Sequence, residues 1–208
     1  MIKPVIDVKR LEDMEAGDLC TKSDFEGTHV LEGDLSGEPL DDLSLEKVFL
    51  EGVTLNQCKI ADFSALDCIF SGCNFAGVGV EQPYFTRLEV KGCRMQGIQL
   101  AQARVFDSAF FSSKLNTANF RFSKIKKVLF DSCDLSEVDF INAELKDVVF
   151  TNCNLSGANF SQAVLTDVDI AGSQIENIII DPASIKQMFV DTGQALYLSS
   201  IFGLKIRD

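Results

Sequence analysis

No tryptophan, two tyrosines, four prolines and a single histidine occur among the 208 residues. One histidine cannot supply the paired imidazoles of most zinc sites, and a histidine-based nucleophilic triad would have to rest on His29 alone. His29 falls in an outward column near the N-terminal end and is read as a solvated surface residue. Basic residues are scarce, 19 Lys and Arg against 31 Asp and Glu, which leaves a net charge of −12. That balance makes nucleic acid an unfavourable ligand and favours a basic partner or none. No segment approaches the ~18 uninterrupted apolar residues of a spanning helix, and MIKPVIDVKRLEDMEAG lacks a signal peptide's continuous apolar core, so a cytoplasmic chain away from the membrane is expected. Glycine-rich phosphate loops, paired metal-ligand motifs and nucleophile elbows are missing. The expectation is a non-enzyme with no cofactor and no metal.

What the chain does have is a beat of five. An apolar residue stands at every fifth position from Phe25 to Ile180, 32 in succession, and only Ala65 is small. At 46% apolar content, chance gives such a run with a probability on the order of ten to the minus eleven. Five matches neither the helix nor the simple strand, so each pentad must be a unit that returns one side chain to a shared interior. Two residues before each centre the chain sets slim groups such as Cys58, Cys68, Val78, Cys93, Ala103, Ala118, Cys133, Ala143 and Cys153. Of the 36 charged residues between Ser23 and Pro182, 35 avoid these two columns, and the exception is Glu38 beside Pro39. Two columns therefore face inward and three face water. Nine of the 14 glycines sit two residues after a centre, where a tight corner calls for positive φ.

The segments CDLSEVDF, CNLSGANF and KLNTANF closely resemble the A(D/N)Lxx signature of pentapeptide-repeat proteins, and the resemblance covers about 160 of the 208 residues. It implies an all-β fold, a right-handed, four-sided parallel β-helix with four pentads per coil, hence about eight coils with a short C-terminal helical cap. At ~4.8 Å between neighbouring strands such a rod is roughly 38 Å long. Residues 1–22 are then an N-terminal cap, 23–182 the β-helix and 183–208 a C-terminal helical tail. Six of the seven cysteines fall in the slim inward column and are read as small apolar fillers. In the tail, Asp181-Pro182 looks like a helix start with Ile185, Met188 and Phe189 on one face, and QALYLSSIF like a second helix ended by Gly203 with Leu204 folding back. The SIFGLKI piece is similar to the family's dimerising tails. Leu196, Ile201, Phe202 and Leu204 are accordingly the expected contacts of a homodimer.

Residues 20 apart stack on one side of the rod, which sorts charge by face. The face centred on Leu40, Ile60 and Val80 holds Asp41, Asp42, Asp62, Glu81, Asp139 and Asp181 and is the candidate acidic interaction face. Along the chain, Arg87 to Lys127 holds nine basic residues and two acidic ones, so the rod is acidic at its ends and basic at its waist. On the face centred on Val30, Leu50 and Phe70 an outward strip is apolar, with Phe49, Ile69, Leu129 and Val149, and with Phe111 on the same face. Such strips usually meet something, here the N-terminal segment (Val5, Ile6, Val8, Leu11), a second protomer or another protein. The acidic rod with its tail resembles the quinolone-resistance members of the family. That resemblance implies an acidic DNA mimic that binds DNA gyrase, a type II topoisomerase, and protects it from inhibitors; the alternative is a protein-protein interaction scaffold for another partner.

Overall fold

The computed structural model describes residues 3–40, 42–81 and 83–205, and for Lys186 its backbone alone. The chain winds as a four-sided parallel β-helix in which residues 20 apart lie side by side, for example Phe85 beside Val105 and Phe110 beside Phe130. The first face, centred on Phe25, Leu45, Ala65 and Phe85, is an eight-stranded sheet. The second, centred on Val30, Leu50, Phe70 and Val90, has ten strands. The third (Leu35 to Ile175) and fourth (Leu40 to Ile180) faces are stitched by shorter strands and isolated bridges such as Lys114 with Asp134 and Asn119 with Asp139.

The pentad explains each part of a side. Every described centre and nearly every slim residue before it is buried, and together they form one continuous core. Ala65, the one small centre, is compensated by its own pentad. Phe63 occupies the slim column there at 3% exposure and packs its ring against Phe70, Phe75 and Phe85. Volume is thus conserved within the pentad although its order is inverted. From the fifth coil onward phenylalanines stack in two ladders. Phe110, Phe130 and Phe150 are spaced 4.9 and 5.1 Å apart, and Phe120, Phe140 and Phe160 are 5.4 and 5.0 Å apart. These separations are the strand spacing carried into the side chains.

The Asp or Asn before many centres caps the following corner, its side-chain oxygen accepting the N–H two residues on. Asn74, Asn119, Asp134, Asp139, Asn154, Asn159 and Asp169 all do so at 2.9–3.1 Å. This Asx-turn is the physical content of the D/N position in the signature. The corner residue itself takes positive φ. Nine glycines do so without steric cost, and 18 other residues, mostly polar, are held there by the coil. The buried cysteine thiols donate to backbone carbonyls of the neighbouring coil, as Cys133 does to Phe110 at 3.4 Å. Burial pushes the Cys68 thiol up to about 12, and the adjacent thiols of Cys73 and Cys153, together with burial, raise Cys93 and Cys133. The same contacts lower Cys73 and Cys153, and all six buried cysteines serve as small space-fillers in the core.

The ends differ from expectation in two respects: strands at both ends lengthen the rod beyond eight coils, and no α-helix follows Asp181-Pro182. Ser184–Gln187 form one 3-10 turn, and Met188–Phe189 make a strand that pairs with Val168–Asp169. Ile185 and Val190 fall on the next two beats and pack on the core, so the apolar period outcompetes the cap signal. At the other end Glu12–Met14 pair with Thr28–Val30, and Ala16 and Leu19 are buried under the first coil. The solenoid therefore makes about nine turns. The helix Thr192–Ile201 closes it. Asp191 and Gln194 form a capping box, and Gln194 also donates to the carbonyls of Ile170 and Ser173, satisfying the last coil's open edge. Gly203 at φ +76° ends the helix in a Schellman arrangement, with Gly203 N–H on Ser200 and Leu204 N–H on Ser199.

Candidate interaction surfaces

The N-terminal segment turns back along the outside of the rod. Val5 N–H donates to Asp67 Oδ1 at 2.8 Å, and Lys3 and Pro4 border a narrow cleft with Leu88, Glu89, Asp107, Ala109 and Phe111. Beneath it, Asp67 forms a two-point pair with Arg87, Nε to Oδ1 at 2.6 Å and Nη2 to Oδ2 at 2.5 Å. That guanidinium holds the Asp67 carboxyl below its usual range, against the opposing effect of burial. The arm therefore lies over the middle of the second face's outer edge. Of the apolar strip, Phe49, Ile69, Phe111 and Leu129 are half-buried and Val149 is 37% exposed. Phe189 continues the same column at 57% exposure, beside Asp169. His29 is not solvated as expected. It stacks on Phe49 at 4.7 Å between centroids, and its ring nitrogens lie 3.1 Å from Asp13 and from Glu51.

Charge divides the rod into three zones. Residues 1–82 hold 17 acidic and six basic side chains, a net −11; residues 83–127 hold two and nine, a net +7; residues 128–208 hold 12 and four, a net −8. The two acidic zones are chemically unlike. In the first, Asp7, Asp13, Glu26, Asp34, Glu46, Glu51 and Asp67 have side-chain partners, but Glu12, Asp24, Glu32, Glu38, Asp42, Asp62 and Glu81 are exposed with no side-chain hydrogen bond or ion pair among the described residues. In the last, Asp131, Asp134, Asp139, Asp169, Glu176, Asp181 and Asp191 each accept a hydrogen bond from a turn N–H or a hydroxyl, whereas Glu137, Asp147 and Asp167 have none among the described residues and Glu144 has only a loose contact with Lys124 at 3.6 Å. The fourth face shows the split directly. Asp42, Asp62 and Glu81 stand free, whereas Asp139 caps Ile141 and pairs with Arg121 at 3.2 Å, and Asp181 accepts the Gln162 N–H. Asp41 lies outside the described residues. Between the two groups the column turns neutral, Asn119 donating to Gln99 at 2.9 Å.

At the basic waist, the edge between the fourth and first faces holds an open cleft of about 460 Å³ lined by Tyr84, Gln102, Arg104, Phe122 and Lys124. Tyr84, Arg104 and Lys124 are successive rungs of the first face, and Gln102 and Phe122 are successive corners of the fourth. Among the described residues no cluster of three or more His, Cys, Asp and Glu is placed to hold a metal, and no helix is long and apolar enough to cross a membrane.

A family model described as a pentapeptide repeat region matches residues 61–140 and 107–180, a span covering more than half of the 208 residues. The chain belongs to the pentapeptide-repeat family. Similar solved structures include a trypsin-treated form of QnrB1, a plasmid-mediated fluoroquinolone resistance protein, at 21% identity and TM-score 0.42 over 88% of this chain and 89% of that one. HetL, a pentapeptide repeat protein involved in heterocyst differentiation regulation in the cyanobacterium Nostoc sp. strain PCC 7120, is 14% identical with TM-score 0.36, over 82% of this chain and 90% of that one. No curated protein matches this sequence.

In this pentapeptide-repeat rod the tail residues expected at a dimer contact separate into two kinds. Leu196, Ile201 and Leu204 are exposed, at 50%, 42% and 65%, whereas Phe202 is half-buried and packs on the core. Tyr197, on the helix itself, packs against the core, and its hydroxyl accepts the Asn177 N–H at 2.7 Å. Column sorting alone does not single out Tyr84. Its column is polar elsewhere on its face except at Val164, and Gln102 and Phe122 reach the cleft from a different face, so only the corner geometry brings them together.

Proposed function

We propose that this chain is a non-enzymatic, cytoplasmic binding rod whose acidic N-terminal coils dock on a basic protein surface in place of duplex DNA, the surface being that of DNA gyrase or another type II topoisomerase. The observation that carries the reading is charge density. Residues 1–82 span four layers of the second face, which at ~4.8 Å per layer is roughly 19 Å. Duplex DNA of that length carries about eleven phosphate charges, at one per ~1.7 Å. The net charge of this zone is −11, and its free carboxylates emerge on several sides of the rod, as phosphates do on a duplex. A mimic confined to these coils is unaffected by the basic waist, which begins only at Arg87.

The binding is electrostatic, so salt weakens it. Purified chain rescues gyrase supercoiling from a fluoroquinolone at low salt and loses the effect as salt rises; no rescue at micromolar protein and low salt contradicts the reading. Exposed Leu196, Ile201 and Leu204 seat a second copy, placing an acidic zone at each far end of the dimer. A second reading is supported by the uncovered end of the apolar strip, Leu129, Val149 and Phe189, which suits a scaffold for another protein. Serine at Leu129 and Val149 separates the two, because it abolishes scaffold binding and leaves the gyrase effect intact.

A further inference from the structure

Phe122 breaks the rule of its own column. It is the one apolar side chain among the 18 non-glycine residues held at positive φ in the described structure, at φ +59°, and it is 57% exposed. The equivalent corners hold Gln102, Asn142 and Gln162 at nearly the same φ, and among them a bulky ring in the left-handed region is the outlier. The ring gives nothing back to the core. Strain of this kind that the fold does not use points to function.

What surrounds the ring is chemically specific. Tyr84, 45% exposed, makes no hydrogen bond through its hydroxyl among the described residues and packs edge-on to Phe106 at 6.0 Å. Arg104 makes no ion pair among the described residues, and Lys124 has only a loose exposed contact with Glu144 at 3.6 Å. The cleft thus offers two aromatic faces, two under-used cations and the Gln102 amide in about 460 Å³, within the ~300–1,000 Å³ range of small-molecule sites.

We propose that this waist cleft binds a small ligand joining a planar ring to a phosphate, the mononucleotide unit. The ring stacks on Phe122 and Tyr84, the phosphate meets Arg104 and Lys124, and Gln102 reads the ring's edge. The charge zones set an upper limit on ligand length. The cleft spans only three coils between stretches of net −11 and net −8, so a long polyanion is repelled where a single nucleotide is not.

Calorimetric titration of the full chain at low salt tests this with adenosine monophosphate, adenosine, inorganic phosphate and a twenty-residue thymidine oligonucleotide. Adenosine monophosphate binds saturably, at least about fivefold more tightly than either half alone, since a stacked base adds ~1–3 kcal/mol. Phe122→Asn, which suits the left-handed corner, folds at least as well as the parent and loses about fivefold or more in affinity. Arg104→Ala loses a comparable factor. The proposal is overturned if the nucleotide fails to bind at millimolar concentration. It is equally overturned if inorganic phosphate binds as well as the nucleotide, if the oligonucleotide alone binds, or if well-folded Phe122→Asn retains parental affinity.

Discussion

Leucine, valine and cysteine fill the first coils together with Phe25, Phe70 and Phe75, Phe63 stands in for the volume Ala65 lacks, and several unengaged carboxylates lie outside. From Phe110 onward stacked rings fill the interior, and most of the acids outside are tied into turns. One pentad template therefore accommodates two kinds of coil. Asp or Asn just before the centre caps the following corner at every such described position but Asp24, which stays free. In the other outward columns some acids are engaged, as Asp131, Glu176 and Asp181 are, and others such as Glu32, Asp42 and Asp62 remain available to a partner. Charge count alone therefore does not say which carboxylates are open to a partner, and the free ones are more numerous in the N-terminal zone.

Core substitutions give the largest test of this contrast. Phe140→Ala removes a ring that touches Phe120, Phe150 and Phe160 and should cost about 3–5 kcal/mol in a denaturant titration. Phe63→Ala should cost a similar amount at the other end, but Phe63→Ala with Ala65→Leu should recover much of it. No recovery would mean that the inverted pentad is not a volume exchange.

Next is the arm. Asp67→Asn breaks a charged two-point pair and weakens the hold on Val5, for a loss of ~1.5–3 kcal/mol. The readout is faster tryptic cleavage at Lys9 and Arg10 with the coils still folded; unchanged cleavage would detach Asp67 from the arm. The native carboxyl titrates below its unfolded value, so its contribution is full above about pH 4 and is lost as pH falls through the lowered native value. Acid should release the arm before the rod melts.

The smallest effect is a gain. Phe122→Asn relieves a strained corner by about 0.5–1 kcal/mol, seen as a slightly higher denaturation midpoint.

The beat of five made the architecture legible because a strict spacing of apolar centres admits one return path per pentad. It also foretold the slim cysteine column, whereas the Gly203 helix stop was legible from cap chemistry. Ile185 and Val190 stood on the same beat, yet the Asp-Pro pair drew attention to a helix that the ninth turn displaces. The N-terminal segment was among the candidates to meet the second face, but its anchor was beyond reach of column logic, since one backbone N–H meets a carboxylate 62 residues away. His29 was misjudged for a related reason, because its partners Asp13, Phe49 and Glu51 come from three layers. Charge zones could be counted from the sequence, but which acids are free could not, because engagement depends on column and corner together.

The most direct measurement compares gyrase affinity across a salt series for the parent chain and two amide sets. One set is Asp24→Asn, Glu32→Gln, Asp42→Asn and Asp62→Asn; the other is Glu137→Gln, Asp147→Asn and Asp167→Asn. The N-terminal set should abolish binding at moderate salt and flatten the salt dependence, and the C-terminal set should leave both near the parent. Parental binding by the N-terminal set would contradict the account.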